Sequence, residues 1–157
     1  MADKKGHNNT PTINNRKAYH EYFIDETYEA GLVLVGTEVK SVRQGKVNIS
    51  EAYCSADDKA DIWVRNMHIS PYEQGNRYNA EPLRDRKLLL KKAEINKLLK
   101  KVGEKGYTLI PLKIYFVRGY AKMLIGLARG KKLWDKRDAI AAKDTERRRQ
   151  QEMSERY

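Results

Sequence analysis

The stretch Ile110-Pro111-Leu112-Lys113-Ile114-Tyr115-Phe116-Val117-Arg118-Gly119-Tyr120-Ala121-Lys122-Met123-Leu124-Ile125-Gly126-Leu127 decides the fold class. Ile110, Leu112, Ile114 and Phe116 alternate with Pro111, Lys113 and Tyr115, and Met123, Ile125 and Leu127 alternate with Lys122, Leu124 and Gly126. A period of two puts successive side chains on opposite faces of a strand. Arg118-Gly119 between the runs suits a tight turn, so the stretch predicts an antiparallel hairpin. Pro111 has no N–H for a ladder, which predicts an edge position or a bulge.

Upstream of the hairpin, Ile95, Leu98, Leu99 and Val102 fall at i, i+3, i+4 and i+7, predicting a helix over 91–102 with lysines on its other face. Gly103 and Gly106 end it. Residues 68–87 show no periodicity and hold Pro71, Gly75, Pro82, Arg77, Arg84, Arg86 and Lys87. Strands are predicted over 47–54 and 62–67 around a polar turn, and over 22–35, where Tyr22, Ile24, Tyr28, Ala30, Leu32 and Leu34 share one phase. Asp25-Glu26-Thr27 marks a bulge or break in the last of these. Thr37 is placed to cap a short helix over 38–43, which Gly45 stops.

Outside these elements the composition changes. Residues 1–17 read as a flexible leader, with order expected from Ala18. Residues 129–157 are dominated by charged residues, Gln and Ala, and read as a basic tail, disordered until it meets a partner. Residues 18–128 form the body. Many antiparallel strands with short helices in so few residues indicate a mainly β fold. The expectation is a partly open oligonucleotide-binding (OB-type) antiparallel barrel with flanking short helices and a disordered basic C-terminal tail; a single-sheet α+β domain is the alternative.

The chain of 157 residues carries a formal charge of +11, which points to a polyanionic partner. Membrane is disfavoured, because no apolar run has the length to span a bilayer and the first residues lack the apolar stretch of a secretory signal. Cys54 is the only cysteine, which excludes an internal disulfide framework and fits the cytoplasm. Ten tyrosines against two phenylalanines favour a surface that stacks on bases while its hydroxyls stay wet.

Catalytic signatures fail one by one. Gly31 and Gly36 have phosphate-loop spacing, but Thr37-Glu38 follows where a lysine is needed. His20-Glu21 lacks a second histidine, since position 24 is Ile24. No Gly-x-Ser-x-Gly elbow is present, and three histidines and one cysteine are too scattered for a metal. A binding protein without catalytic residues, metal or cofactor is expected; an RNA-processing enzyme is the rival.

Three features suggest RNA. Arg16, Lys17, Tyr19, His20 and Tyr22 interleave cations with rings. Arg84, Arg86, Lys87, Lys91, Lys92, Lys97, Lys100, Lys101 and Lys105 form a basic cluster that suits phosphate tracking, although a helix face of lysines is also an ordinary solvated face. Gly130-Lys131-Lys132-Leu133-Trp134-Asp135-Lys136-Arg137, then Arg147-Arg148-Arg149, read as an RNA-binding arm, and an exposed Trp134 asks for a stacking partner.

Those residues carry a family likeness over about 15–137. Asn15-Arg16-Lys17-Ala18-Tyr19-His20-Glu21-Tyr22-Phe23, Tyr28-Glu29-Ala30-Gly31-Leu32 and Gly36-Thr37-Glu38-Val39-Lys40-Ser41-Val42-Arg43 stand in order. Asn48-Ile49-Ser50, Arg86-Lys87-Leu88-Leu89-Leu90, Gly106-Tyr107-Thr108, and Gly130-Lys131-Lys132 with Asp135-Lys136-Arg137 follow. The sequence resembles the small protein B family, the SsrA-binding proteins of bacteria. The resemblance implies an OB-type barrel gripping the tRNA-like domain of tmRNA and taking part in trans-translation, the rescue of stalled ribosomes.

Resemblance and charge pattern together give an RNA-contacting set of Asn15, Lys17, His20, Tyr22, Glu29, Glu38, Lys40, Arg43, Arg86, Lys87 and Leu89. The implied ribosome-engaging tail set is Lys131, Lys132, Trp134, Asp135, Lys136, Arg137 and Met153. Trp134 stands where relatives often have a basic residue or histidine, so stacking fits it better than proton relay. The implied partners are tmRNA, the ribosomal decoding site and messenger channel, and, indirectly, the elongation machinery, with a monomer on the RNA.

Overall fold

A computed structural model describes residues 10–74, 79–103, 106–131 and 144–151. The chain runs β1 (Ile13–Asn14), α1 (Arg16–Glu21), β2 (Tyr22–Leu32), α2 (Gly36–Arg43), β3 (Val47–Asn48), β4 (Tyr53–Ala56), β5 (Ile62–Arg65), β6 (His68–Ile69), β7 (Arg86–Leu89), α3 (Lys92–Val102), β8 (Tyr107–Val117) and β9 (Tyr120–Gly130). The main sheet is antiparallel, in the order β1-β8-β4-β5-β7-β2-β9, and β8 also pairs with β9, so the sheet closes into a ring. β3 and β6 form a separate pair.

The hairpin read from the sequence is β8–β9, with Val117 opposite Tyr120. Arg118 and Gly119 have φ of 52° and 82°. Positive φ at both central residues is what a two-residue turn matched to strand twist requires. Pro111 lies at a bulge, since the register shifts between Pro111 and Lys113. A second shift between Ile24 and Glu26 answers the polar break expected there.

These bulges correct the expected faces. An extra residue turns the chain over. Leu109 and Ile114 enter the main core, whereas Ile110 and Leu112 pack outside the ring with Ala18 and Ala128. Tyr22 and Ile24 join that outer cluster, while Tyr28, Ala30 and Leu32 face inward. β9 has no bulge between its residues 123 and 128, so Met123, Ile125 and Leu127 face the core and Leu124 and Ala128 the outer cluster. Gly126 sits where the layers meet: a Cβ there would lie 3.0 Å from Leu112 Cδ1 and 3.1 Å from Ile24 Cγ2.

Helix α3 matches its predicted span, with Leu98 fully buried and Ile95, Leu99 and Val102 against the core. It lies near the β2 bulge, where Lys97 and Lys101 reach Glu26 at 3.8 and 3.9 Å. Helix α2 sits toward the hairpin tip, with Arg43 over the Phe116 ring. Its start is not Thr37. The Val35 N–H donates to the Glu38 carboxylate at 3.0 Å, which places the cap at Val35, two residues earlier than expected. The strand predicted over 47–54 is broken, because the Asn48 side chain accepts from Ser50 and bends the chain.

Both expected boundaries of the body move outward. Ile13 pairs with Ile114 inside the stretch read as leader, and β9 runs to Gly130, past residue 128. Part of the stretch read as a disordered tail is a helix over 144–151, with all its residues exposed. Glu146 and Arg149 lie 3.7 Å apart on it, and Glu, Arg and Gln suit an exposed helix. Residues 1–9 lie outside the described residues.

Candidate nucleic-acid interface

On the outer face of the ring, Gly31 stands opposite both Leu89 and Lys122, and Lys122 opposite Tyr115. Glu29 stands opposite Leu124, which stands opposite Lys113. Directly opposed residues of antiparallel strands project to one face. Leu89, Glu29, Lys122, Tyr115 and Lys113 therefore share a patch. The Tyr115 hydroxyl donates to Glu29, and the Lys113 ammonium lies 5.3 Å from the Tyr115 ring centre. Burial, and then the Glu29 bond, push the Tyr115 hydroxyl up to about 12, so it remains a donor at neutral pH. A Cβ on Gly31 would lie 3.3 Å from Leu89 Cβ, and Leu89 is 55% exposed beside it. Its exposure leaves an apolar contact open to a ligand, in addition to the supporting role expected for it.

Beside this patch, α1 presents Lys17, Tyr19 and His20 to solvent. Lys17 pairs with Glu51. Tyr22 is half-buried and, with Tyr53, Lys17, Glu51, Glu21 and Thr108, lines a cleft of about 350 Å³. The second ring there, Tyr53, escaped the sequence reading, as did Tyr115, Lys113 and Lys122. Their outward phase in the strands was the available signal.

Three expected contact residues are spent on the fold. Asn15 is buried: its Oδ1 accepts from the Ala18 N–H at 3.2 Å, and its Nδ2 donates to Pro111 O at 2.8 Å and Ile49 O at 3.2 Å. It caps α1 and fastens it to β8, so its side-chain amide is engaged within the fold. Glu38 and Arg86 are also buried. Arg86 Nε and Nη2 donate to Glu38 Oε2 at 2.8 and 2.5 Å, and its Nη1 donates to Met67 O at 2.6 Å. Arg84 donates to the other Glu38 oxygen at 2.5 Å. Strand alternation buries Arg86, because β7 turns Arg86 and Leu88 inward and Lys87 and Leu89 outward. Burial raises the Glu38 carboxyl's pKa, but the bonds from Arg84, Val35 and Arg86 outweigh it and hold it below its ordinary range.

The remaining expected cations are accessible. Lys87 is half-exposed and lies 3.6 Å from Asp61. Lys40 lies 5.3 Å from the Tyr72 ring centre and Arg43 5.6 Å from that of Phe116. This pair belongs to the hairpin-tip end, apart from α1, which packs beside Tyr22 and Gly130 at the other end of the strands. The tail root is anchored there. Arg129 pairs with Asp25 at 3.1 Å, and the Lys131 N–H donates to Glu21 O at 2.8 Å. The Arg129 bond is the main cause that lowers the Asp25 pKa. Lys132, Trp134, Asp135, Lys136, Arg137 and Met153 lie outside the described residues. Among the described residues no helix is long and apolar enough to cross a membrane.

The sequence profile of a family described as SmpB protein matches residues 12–155. The chain belongs to the SmpB family. An SsrA-binding protein of Bacillus cytotoxicus is 60% identical over 133 residues, covering 85% of each chain. One from Clostridium novyi is 55% identical over 153 residues, covering 98% of this chain and 97% of its own. Among solved structures, a chain described under "tmRNA-SmpB: a journey to the center of the bacterial ribosome" superposes with a TM-score of 0.66 at 55% identity. That match covers 78% of this SmpB-family chain and 86% of the other.

Proposed function

We propose that this chain is a non-enzymatic RNA-binding adaptor that holds the tRNA-like domain of tmRNA and delivers it to stalled ribosomes for trans-translation. The observation that carries the reading is the outer face where Leu89, Glu29, Tyr115, Lys113 and Lys122 meet, next to the exposed Lys17, Tyr19 and His20 of α1. Cations there neutralise phosphates, rings stack on splayed bases, and Glu29 accepts from a base edge or a 2′-hydroxyl. Membership of the SmpB family and the kinship with SsrA-binding proteins support the choice of RNA. The closed ring is read as an OB-type barrel, a fold whose strand faces bind oligonucleotides. Lys132, Trp134, Asp135, Lys136, Arg137 and Met153 are assigned to the ribosome, where their cations follow the phosphate path of an empty messenger channel. The protein acts in the cytoplasm, as a monomer on its RNA.

The test is incubation of the purified full chain with labelled tmRNA. A stable shifted complex with intact RNA supports the adaptor. Cleaved or modified RNA favours an RNA-processing enzyme, and no complex at moderate salt overturns the reading.

A further inference from the structure

The first residue after β9 closes the open end of α1. A helix leaves its last carbonyls without intrahelical donors. In α1 the Ala18 carbonyl is taken by the Tyr22 N–H. Lys131 takes two more, its backbone N–H donating to Glu21 O at 2.8 Å and its Nζ to Tyr19 O at 3.1 Å. The same ammonium lies 5.2 Å from the centre of the Phe23 ring, which also receives the Arg129 guanidinium at 5.4 Å. Arg129 is held in turn by Asp25. A cation at a helix C-terminus is favoured by the helix dipole, and a ring face beneath it adds to that attraction. One residue therefore joins the helix that displays Tyr19 and His20 to the point where the tail leaves the body.

We propose that Lys131 is a positioning residue that sets the direction of the tail by capping α1, and that its ammonium is not itself read by the ribosome. The assignment of roles to α1 and the tail rests on the proposed function; the clamp rests on geometry alone. Arginine at this position keeps a cation and donors of similar reach, whereas methionine keeps the length and loses both.

The experiment uses the full chain, Lys131→Met and Lys131→Arg. Amide exchange at position 131 reports the clamp, gel shift reports tmRNA affinity, and peptide tagging on stalled ribosomes reports tail delivery. Lys131→Met is expected to speed exchange at position 131 by about tenfold, as local opening becomes easier. It is expected to leave tmRNA affinity unchanged and to lower tagging, and Lys131→Arg is expected to restore both protection and tagging. Unchanged protection in Lys131→Met overturns the proposal. So does protection restored by arginine without restored tagging, which would make the lysine ammonium a direct ribosomal contact. If the wild-type chain neither binds tmRNA nor supports tagging, the functional reading falls, while the exchange arm still decides the clamp.

Discussion

Arg86 is a fully buried cation, and its partner Glu38 is 4% exposed. Removing one member of such a pair strands the other in the interior. Arg86→Met is therefore expected to cost about 3–5 kcal/mol of stability, read by urea denaturation. RNA affinity per folded molecule should not change, because neither group reaches the surface. Glu38 also predicts an acid limb. Its folded pKa is held below the ordinary 4.5, so its stabilisation is present above that value and fades as pH falls through the folded pKa. Glu38→Gln should make the stability curve flatter on the acid side than that of the wild type. Tyr22→Ala is the residue-scale test of the interface: loss of a stacked ring weakens tmRNA binding by about 1–3 kcal/mol, measured by filter binding. Its half-buried ring also touches the outer apolar cluster, so unfolding is followed in parallel. Sequence alone showed these residues as a basic and aromatic motif. It did not separate Arg86 from Lys87, neighbours that project to opposite sides of β7.

Among the elements, the β8–β9 hairpin and α3 were legible because their periodicity is local. The facing of β8 was not, because a bulge reverses the phase partway along a strand whose residues are apolar on both sides. Leu109 and Ile114 on one face, and Ile110 and Leu112 on the other, make a run that period two alone cannot divide. Pro111 marked the place without giving the number of residues inserted. The bulge brings Leu112 over Gly126, opposite Ile24. Gly126→Ala is expected to cost about 1–3 kcal/mol, since its methyl must displace close-packed side chains from two strands. Thermal unfolding of the variant checks this, and an unchanged midpoint would mean that the layers have slack.

At the scale of the whole molecule, net charge named the class of partner, and the fold decides which cations meet it. Lys113 and Lys122 lie on the outer face of the ring, Lys122 toward the hairpin tip, and Lys17 on α1, whereas Lys40 and Arg43 are carried by α2. Binding of tmRNA should weaken linearly in log–log plots against salt. Lys122→Ala should reduce the slope by roughly 0.7–0.9, the share of one phosphate contact. A chain ending at Lys131 should hold tmRNA as well as the full chain and fail in peptide tagging. Equal loss of both would erase the division between body and tail. The separation of Lys40 from His20 was invisible in the sequence, where both belong to basic motifs of the same N-terminal stretch.

The ring has a further consequence for self-association. β8, β4, β5, β7, β2 and β9 each have a ladder partner on both sides, and the two longest alternating segments, β8 and β9, pair with each other from the turn to Arg129. Long alternating segments such as β8 and β9 are, in open sheets, templates for fibril growth. Joining the first margin to the last removes the template without placing guard charges along it. Those outward positions are thereby left free to carry lysines and tyrosines for a ligand.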